Sequence, residues 1–299
     1  MAIDFLISSA VLSSGRKVFY GKKTSSNEDK FTIGYTTMYE GNFGLYNILQ
    51  TEGQIYLPEN YPQYGFWSYF LYPTAMAESK GSFKCLNTYD RARFTFGFMQ
   101  YAAHVPNGDF VVFLKELLLL PDASAYFPKL ALKDNRIHYR SNNGTLTLLE
   151  SDSSTQALMD YLNPSLSQVE NQELICSARM VHWSSTSLAH RELQVKTAVE
   201  HYQKNMKSYH TRFGLHGAPA KVCALVCDIR HQGRGTNNRI AAALNTNGDY
   251  EKAYSNLCTI GQANYQSRIT TVKNTIKKLS DLGLFQMKYD AEQATFVAM

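Results

Sequence analysis

The 299-residue sequence predicts a mainly helical α+β fold in which a small β-hairpin element precedes a long helical stretch. Three observations carry this. Between about residues 154 and 282, apolar positions recur at helical spacing and glycines punctuate them. Residues 130–150 switch to alternation around Asn142-Asn143-Gly144, a hairpin-turn string. Charged residues make up only 18% and aromatic residues 13%, the opposite of a disordered composition.

Taken in order, residues 1–62 mix short apolar clusters with Gly, Ser and Asn. They read as an irregular N-terminal extension with one helix near 43–51. Residues 63–299 read as one domain with the hairpin inserted near 130–150. Aromatic and aliphatic residues at helical spacing predict a helix over 66–79, which Pro73 should start or kink. Asn107-Gly108-Asp109 should cap an apolar helix that ends before Pro121. Further helices are predicted at 154–162, 169–183, 187–213, 219–232, 236–244, 250–260 and 265–282. The tail 284–299 alternates again, as a terminal hairpin would. No 20–50-residue repeat is present, which argues against a solenoid.

Composition bounds the function. The +5 formal charge is diffuse and no basic run stands out, so a nucleic-acid partner is not expected. No apolar run approaches the ~20 residues a spanning helix needs, so no membrane insertion is expected. The N-terminus carries Asp4 and no early Lys or Arg, unlike a secretory signal peptide. Cys85, Cys176, Cys223, Cys227 and Cys258 are odd in number and scattered, which suits buried free thiols made in a reducing compartment. The histidines show no metal-like pairing, so no metal and no cofactor are expected.

The chemistry-bearing stretch is Ala77-Glu78-Ser79-Lys80-Gly81, followed by Tyr89-Asp90-Arg91 and Phe94-Thr95-Phe96-Gly97-Phe98-Met99-Gln100. Glu78 ends an aromatic-rich helix, where desolvation should raise its pKa and keep a proton available for a glycosidic oxygen. Asp90 is the leading second group, ahead of Asp109, and it reads equally well as a surface-turn ion pair with Arg91. Thr95 could position a water. Ser79, Gln100, Tyr101 and Asn245 are candidates to hold a sugar. Asp228-Ile229-Arg230-His231-Gln232-Gly233-Arg234-Gly235 closes an apolar helix. Arg230 is expected there as a buried partner for a carboxylate.

Glu78-Ser79 with Gly97-Phe98-Met99-Gln100 resembles the E-S … G-L-M-Q signature of goose-type lysozymes and lytic transglycosylases, with a longer gap. Ala242-Ala243-Leu244-Asn245-Thr246-Asn247-Gly248 resembles their A-Y-N-A-G segment, with Leu244 in place of the tyrosine. Phe94 to Phe98 is similar to the phage-lysozyme turn, which carries Glu78, Asp90 and Thr95 over in order as an active site. Phe31-Thr32-Ile33-Gly34-Tyr35 matches that turn as a string, but the nearest acids, Glu28 and Asp29, stand directly beside it.

The resemblance implies a lysozyme-like helical domain that cleaves the MurNAc-GlcNAc β-1,4 bond, as a muramidase or a lytic transglycosylase. Its partner would be the glycan strands of bacterial peptidoglycan. The protein would be made in the cytoplasm and would act in the periplasm or cell wall of a target bacterium after export or lysis. An antibacterial effector toxin, delivered for example by type VI secretion, also implies an immunity protein; a phage endolysin is the other route. The alternative class is a non-catalytic cell-wall-binding or phage structural protein.

Overall fold

The computed structural model describes residues 2–26, 28–47 and 54–299. Helix makes up 46% and strand 20%, so the protein is α+β and not mainly α. The main cause is the N-terminal region, where a seven-stranded antiparallel sheet replaces the expected irregular extension. Two compact units emerge, Met1–Ile55 with Ser82–Thr197, and Tyr56–Gly81 with Ala198–Met299. The boundary expected between 62 and 63 falls inside the first segment of the second unit.

In the first unit, β1 (Phe5–Val11), β2 (Lys17–Lys23), β3 (Phe31–Tyr39) and β4 (Asn42–Tyr46) form a meander. The short strands β5 (Leu86–Asn87), β6 (Thr95–Phe96) and β7 (Tyr101–Ala102) continue it in sequence order. Phe31-Thr32-Ile33-Gly34-Tyr35 is therefore strand and not a catalytic turn. Its β-branched and aromatic residues suit a pleated surface, and Ile33 and Gly34 are buried. The helix expected near 43–51 is strand up to Tyr46; residues 48–51 lie outside the described residues. Helices α2 (Asp109–Leu117), α3 (Ala123–Tyr126), α4 (Gln156–Leu162) and α5 (Asn171–Thr186) follow. The element expected as one hairpin is three strands, β8 (Leu130–Lys133), β9 (Arg136–Arg140) and β10 (Leu146–Leu148). Asp134 and Asn135 both take positive φ in the first of its two turns.

The core of this unit is aromatic: Phe94, Phe96, Phe98, Phe110, Phe113 and Trp183 are fully enclosed, and Tyr126 stacks on Trp183 at 4.7 Å. One buried carboxylate ties α5 to the sheet. Glu173 accepts hydrogen bonds from the Thr88 hydroxyl and the Glu170 N–H, and burial pushes its pKa up to about 7.

Helix α6 (Leu188–Phe213) is cut by the division between units at Thr197. The second unit holds two single-turn helices (Pro58–Asn60 and Pro62–Tyr64), α1 (Phe66–Ser79), α7 (Ala220–Gln232), α8 (Asn237–Leu244), α9 (Tyr250–Thr259) and α10 (Gln262–Asp281). It ends in the expected tail hairpin, β11 (Met287–Asp290) and β12 (Thr295–Ala298). Helix α7 is apolar on nearly every face, and all eight positions from Val222 to Ile229 are buried. Pro73 lies buried in the interior of α1 instead of starting it, so tertiary packing outweighs the backbone bond that proline forgoes. Phe66, Trp67 and Phe70 pack against Phe296 of the tail hairpin. Among the described residues, no helix is long and apolar enough to cross a membrane.

Candidate active site

Glu78 sits in the last turn of α1, where the C-terminal end of the helix dipole repels an anion. An arginine and a histidine answer that cost, and both belong to the same unit. Arg268 on α10 places Nη1 2.7 Å from Glu78 Oε1, and His231 at the end of α7 places Nε2 3.2 Å from the same oxygen. Arg268 is shared: its Nη2 lies 2.7 Å from Oδ1 of Asp228. Asp228, fully buried on α7, takes Arg234 on its other oxygen, and Arg234 Nε donates to the Ile260 carbonyl. The chain of contacts runs Glu78, Arg268, Asp228, Arg234.

Burial is the largest influence on Glu78 and raises its pKa, but Arg268 and His231 together overcome it and hold the group at about 2. The raised pKa expected from the aromatic helix is thus corrected. The apolar setting exists, and an arginine 190 positions along the chain cancels it. The Glu78 side chain as a whole is 16% exposed, so it lies near the surface and is not sealed in the core.

The other sequence candidates are distributed between the units. Ser79 and Asn245 share the unit of Glu78. Ser79 is buried with its hydroxyl on the Ala75 carbonyl, and Asn245 is exposed at the end of α8. Asp90, Thr95, Gln100 and Tyr101 lie in the other unit. Asp90 accepts from the Ala92 N–H and the Asn87 amide, closing a turn rather than pairing with Arg91. Thr95 is buried in β6. Gln100 donates to the carbonyls of Cys85 and Gly97, and the Tyr101 hydroxyl donates to the Gln194 carbonyl. Both polar ends are engaged by backbone carbonyls.

The expected buried role of Arg230 passes to Arg234. Arg230 is exposed and reaches the Gly235 carbonyl and the Tyr209 hydroxyl, whereas Arg234 is enclosed against Asp228. Sequence reasoning missed His231 and Arg268. A buried Asp228 on a largely apolar helix does demand a cation, but nothing local says which one. All five cysteines are buried and free. Among the described residues, no cluster of three or more His, Cys, Asp or Glu has the geometry to hold a metal ion.

Compared with protein families, curated proteins and solved structures, the chain matches none.

Proposed function

We propose that this protein is a glycosidase that cleaves the β-1,4 amino-sugar backbone of peptidoglycan, with Glu78 as the proton donor. The observation that carries the reading is the state of Glu78. Burial alone favours its protonated form, and it is held ionised by a guanidinium that a second carboxylate already grips. A sugar arriving at Glu78 displaces Arg268 toward Asp228, and burial then dominates. Glu78 takes up a proton and passes it to the glycosidic oxygen as the C–O bond breaks; water, or the sugar's own C6 hydroxyl in a transglycosylase, bonds to the anomeric carbon and returns its proton to Glu78, which releases it and re-forms its pair with Arg268 as the product leaves. Asp228, committed to two arginines, anchors this exchange and is not the base. The Glu78-Ser79 string and its resemblance point to peptidoglycan as the polymer. The buried free thiols support synthesis in a reducing compartment before action at a target cell wall. An effector of this kind would require an immunity protein in the producing cell.

A second reading has its own support. A carboxylate held at about 2 is also what a purely structural clasp looks like, as in a wall-binding protein without catalysis. Digestion of purified sacculi followed by mass spectrometry of the released muropeptides separates the two. Anhydro ends signify a transglycosylase, reducing ends a hydrolase, and no release a binder.

A further inference from the structure

We propose that two copies of this chain associate through β1, each adding its edge strand to the other's sheet in antiparallel fashion about a two-fold axis at Ser8. Strand β1 is the first strand in the order of the seven-stranded sheet and pairs only with β2. Hydrogen bonds at both ends of that pairing show which residues face outward. Thr24 N–H bonds the Asp4 carbonyl, and Leu12 N–H bonds the Arg16 carbonyl, so the even-numbered residues of β1 face β2. The odd-numbered Phe5, Ile7, Ser9 and Val11 aim their N–H and C=O groups at the open edge. Ile3 continues the same parity, and its outward N–H is already taken by the Ala125 carbonyl. Among the described residues, no backbone hydrogen bond covers the edge beyond Ile3.

Such an edge is normally blunted by charge, proline or a bulge. Phe5–Val11 reads FLISSAV, with no charged residue and no proline, and its register with β2 is unbroken. Its sequence suits a second copy in particular. About an axis at Ser8, Phe5 stands opposite Val11 and Ile7 opposite Ser9, so every outward residue meets an outward residue and exchanges both bonds. Leu6, 65% exposed, would lie against the partner's Ala10, and Val11, 71% exposed, against the partner's Phe5. Small Ser8 lies on the axis with Ile7–Ser9 pairs on either side, and exposed Asp4 comes to the turn that carries the partner's Arg16.

The axis makes a sharp test. Ser8 opposes itself at a non-hydrogen-bonded position, where Cα atoms lie about 4.5 Å apart, within disulfide range. In the full-length chain, Ser8→Cys should cross-link to a covalent dimer under oxidised glutathione, whereas Ala10→Cys should not, because its counterpart is Leu6. The native cysteines are all buried and should contribute nothing. In sedimentation velocity the wild-type chain should shift from monomer toward dimer as concentration rises. Ser9→Pro removes an outward N–H without touching the β1–β2 ladder, so it should stay monomeric, with a melting temperature equal to that of the wild type at concentrations where the wild type is also monomeric. Equal cross-linking of both cysteine variants, a wild type that remains monomeric at every concentration, open-ended oligomers, or a dimer that survives Ser9→Pro would each overturn the proposal.

Discussion

The guanidinium of Arg268 on α10 meets the carboxylate of Glu78 on α1 at 2.7 Å, and it does so with one nitrogen while another holds Asp228. One planar side chain thus couples the carboxylate at the end of α1 to the one inside α7. A lysine ammonium is a point charge and cannot span both. Arg268→Lys should therefore lower stability at neutral pH by about 1–3 kcal/mol. It should also let the Glu78 carboxyl titrate well above 2, read by urea denaturation and by carbon NMR of the carboxyl. An unchanged Glu78 titration would mean that His231 alone holds it down.

Two buried carboxylates give opposite pH signatures. Glu78, depressed from 4.5 to about 2, contributes stability that is present above about pH 4.5 and is lost as pH falls through 2. Glu173, raised from 4.5 to about 7, binds its proton more tightly folded than unfolded. Its contribution is complete below about pH 4.5 and is lost as pH rises through 7. Between about pH 5 and about pH 8, the wild type should lose about 2–3 kcal/mol more than Glu173→Gln does. Parallel pH profiles for the two proteins, from denaturant titrations, would refute this.

Helix α7 centres the second unit, and Leu225 within it is fully buried. Leu225→Ala should cost about 2–5 kcal/mol of unfolding free energy, since both burial and a filled site are lost. A loss under about 1 kcal/mol would place α7 outside the core.

Gly97 supplies the glycine of the motif that first drew attention to a sugar site, but its role is conformational. Its φ is +88°, and an added Cβ would stand 2.5 Å from the Gln194 side-chain oxygen, which itself accepts the Phe98 N–H. Gly97→Ala should destabilise the first unit by about 1–3 kcal/mol through strain and that clash. Thermal melting detects this directly; a neutral result would free the position for a ligand-facing role.

Helices were legible because their signals are local. The run from Phe66 to Ser79, the glycines after Phe213 and Gln232, and Thr236 capping α8 mark ends within a residue or a few of where they fall. The meander was not legible for the opposite reason. In β2 and β3, Gly21, Gly34 and several threonines resemble punctuation, and only pairing with neighbouring strands turns them into sheet: Gly21 packs under the Phe31 ring, and Gly34 lies against Leu45 and Tyr46. The place of Glu78 at the end of an apolar helix was legible, but its charge state was not. Arg268 reaches it only through the packing of α10 on α1, which no spacing rule encodes.

The central claim is that Glu78 donates the proton that cleaves a glycan, and it is tested most directly by Glu78→Gln on purified sacculi, assayed by release of soluble muropeptides. Calorimetry should first confirm that the variant folds, with stability lowered by about 1–3 kcal/mol because Arg268 keeps Asp228 as a partner. The account predicts that the wild type releases muropeptides and that the folded variant releases none detectable. Release by the variant at near wild-type rate would contradict it.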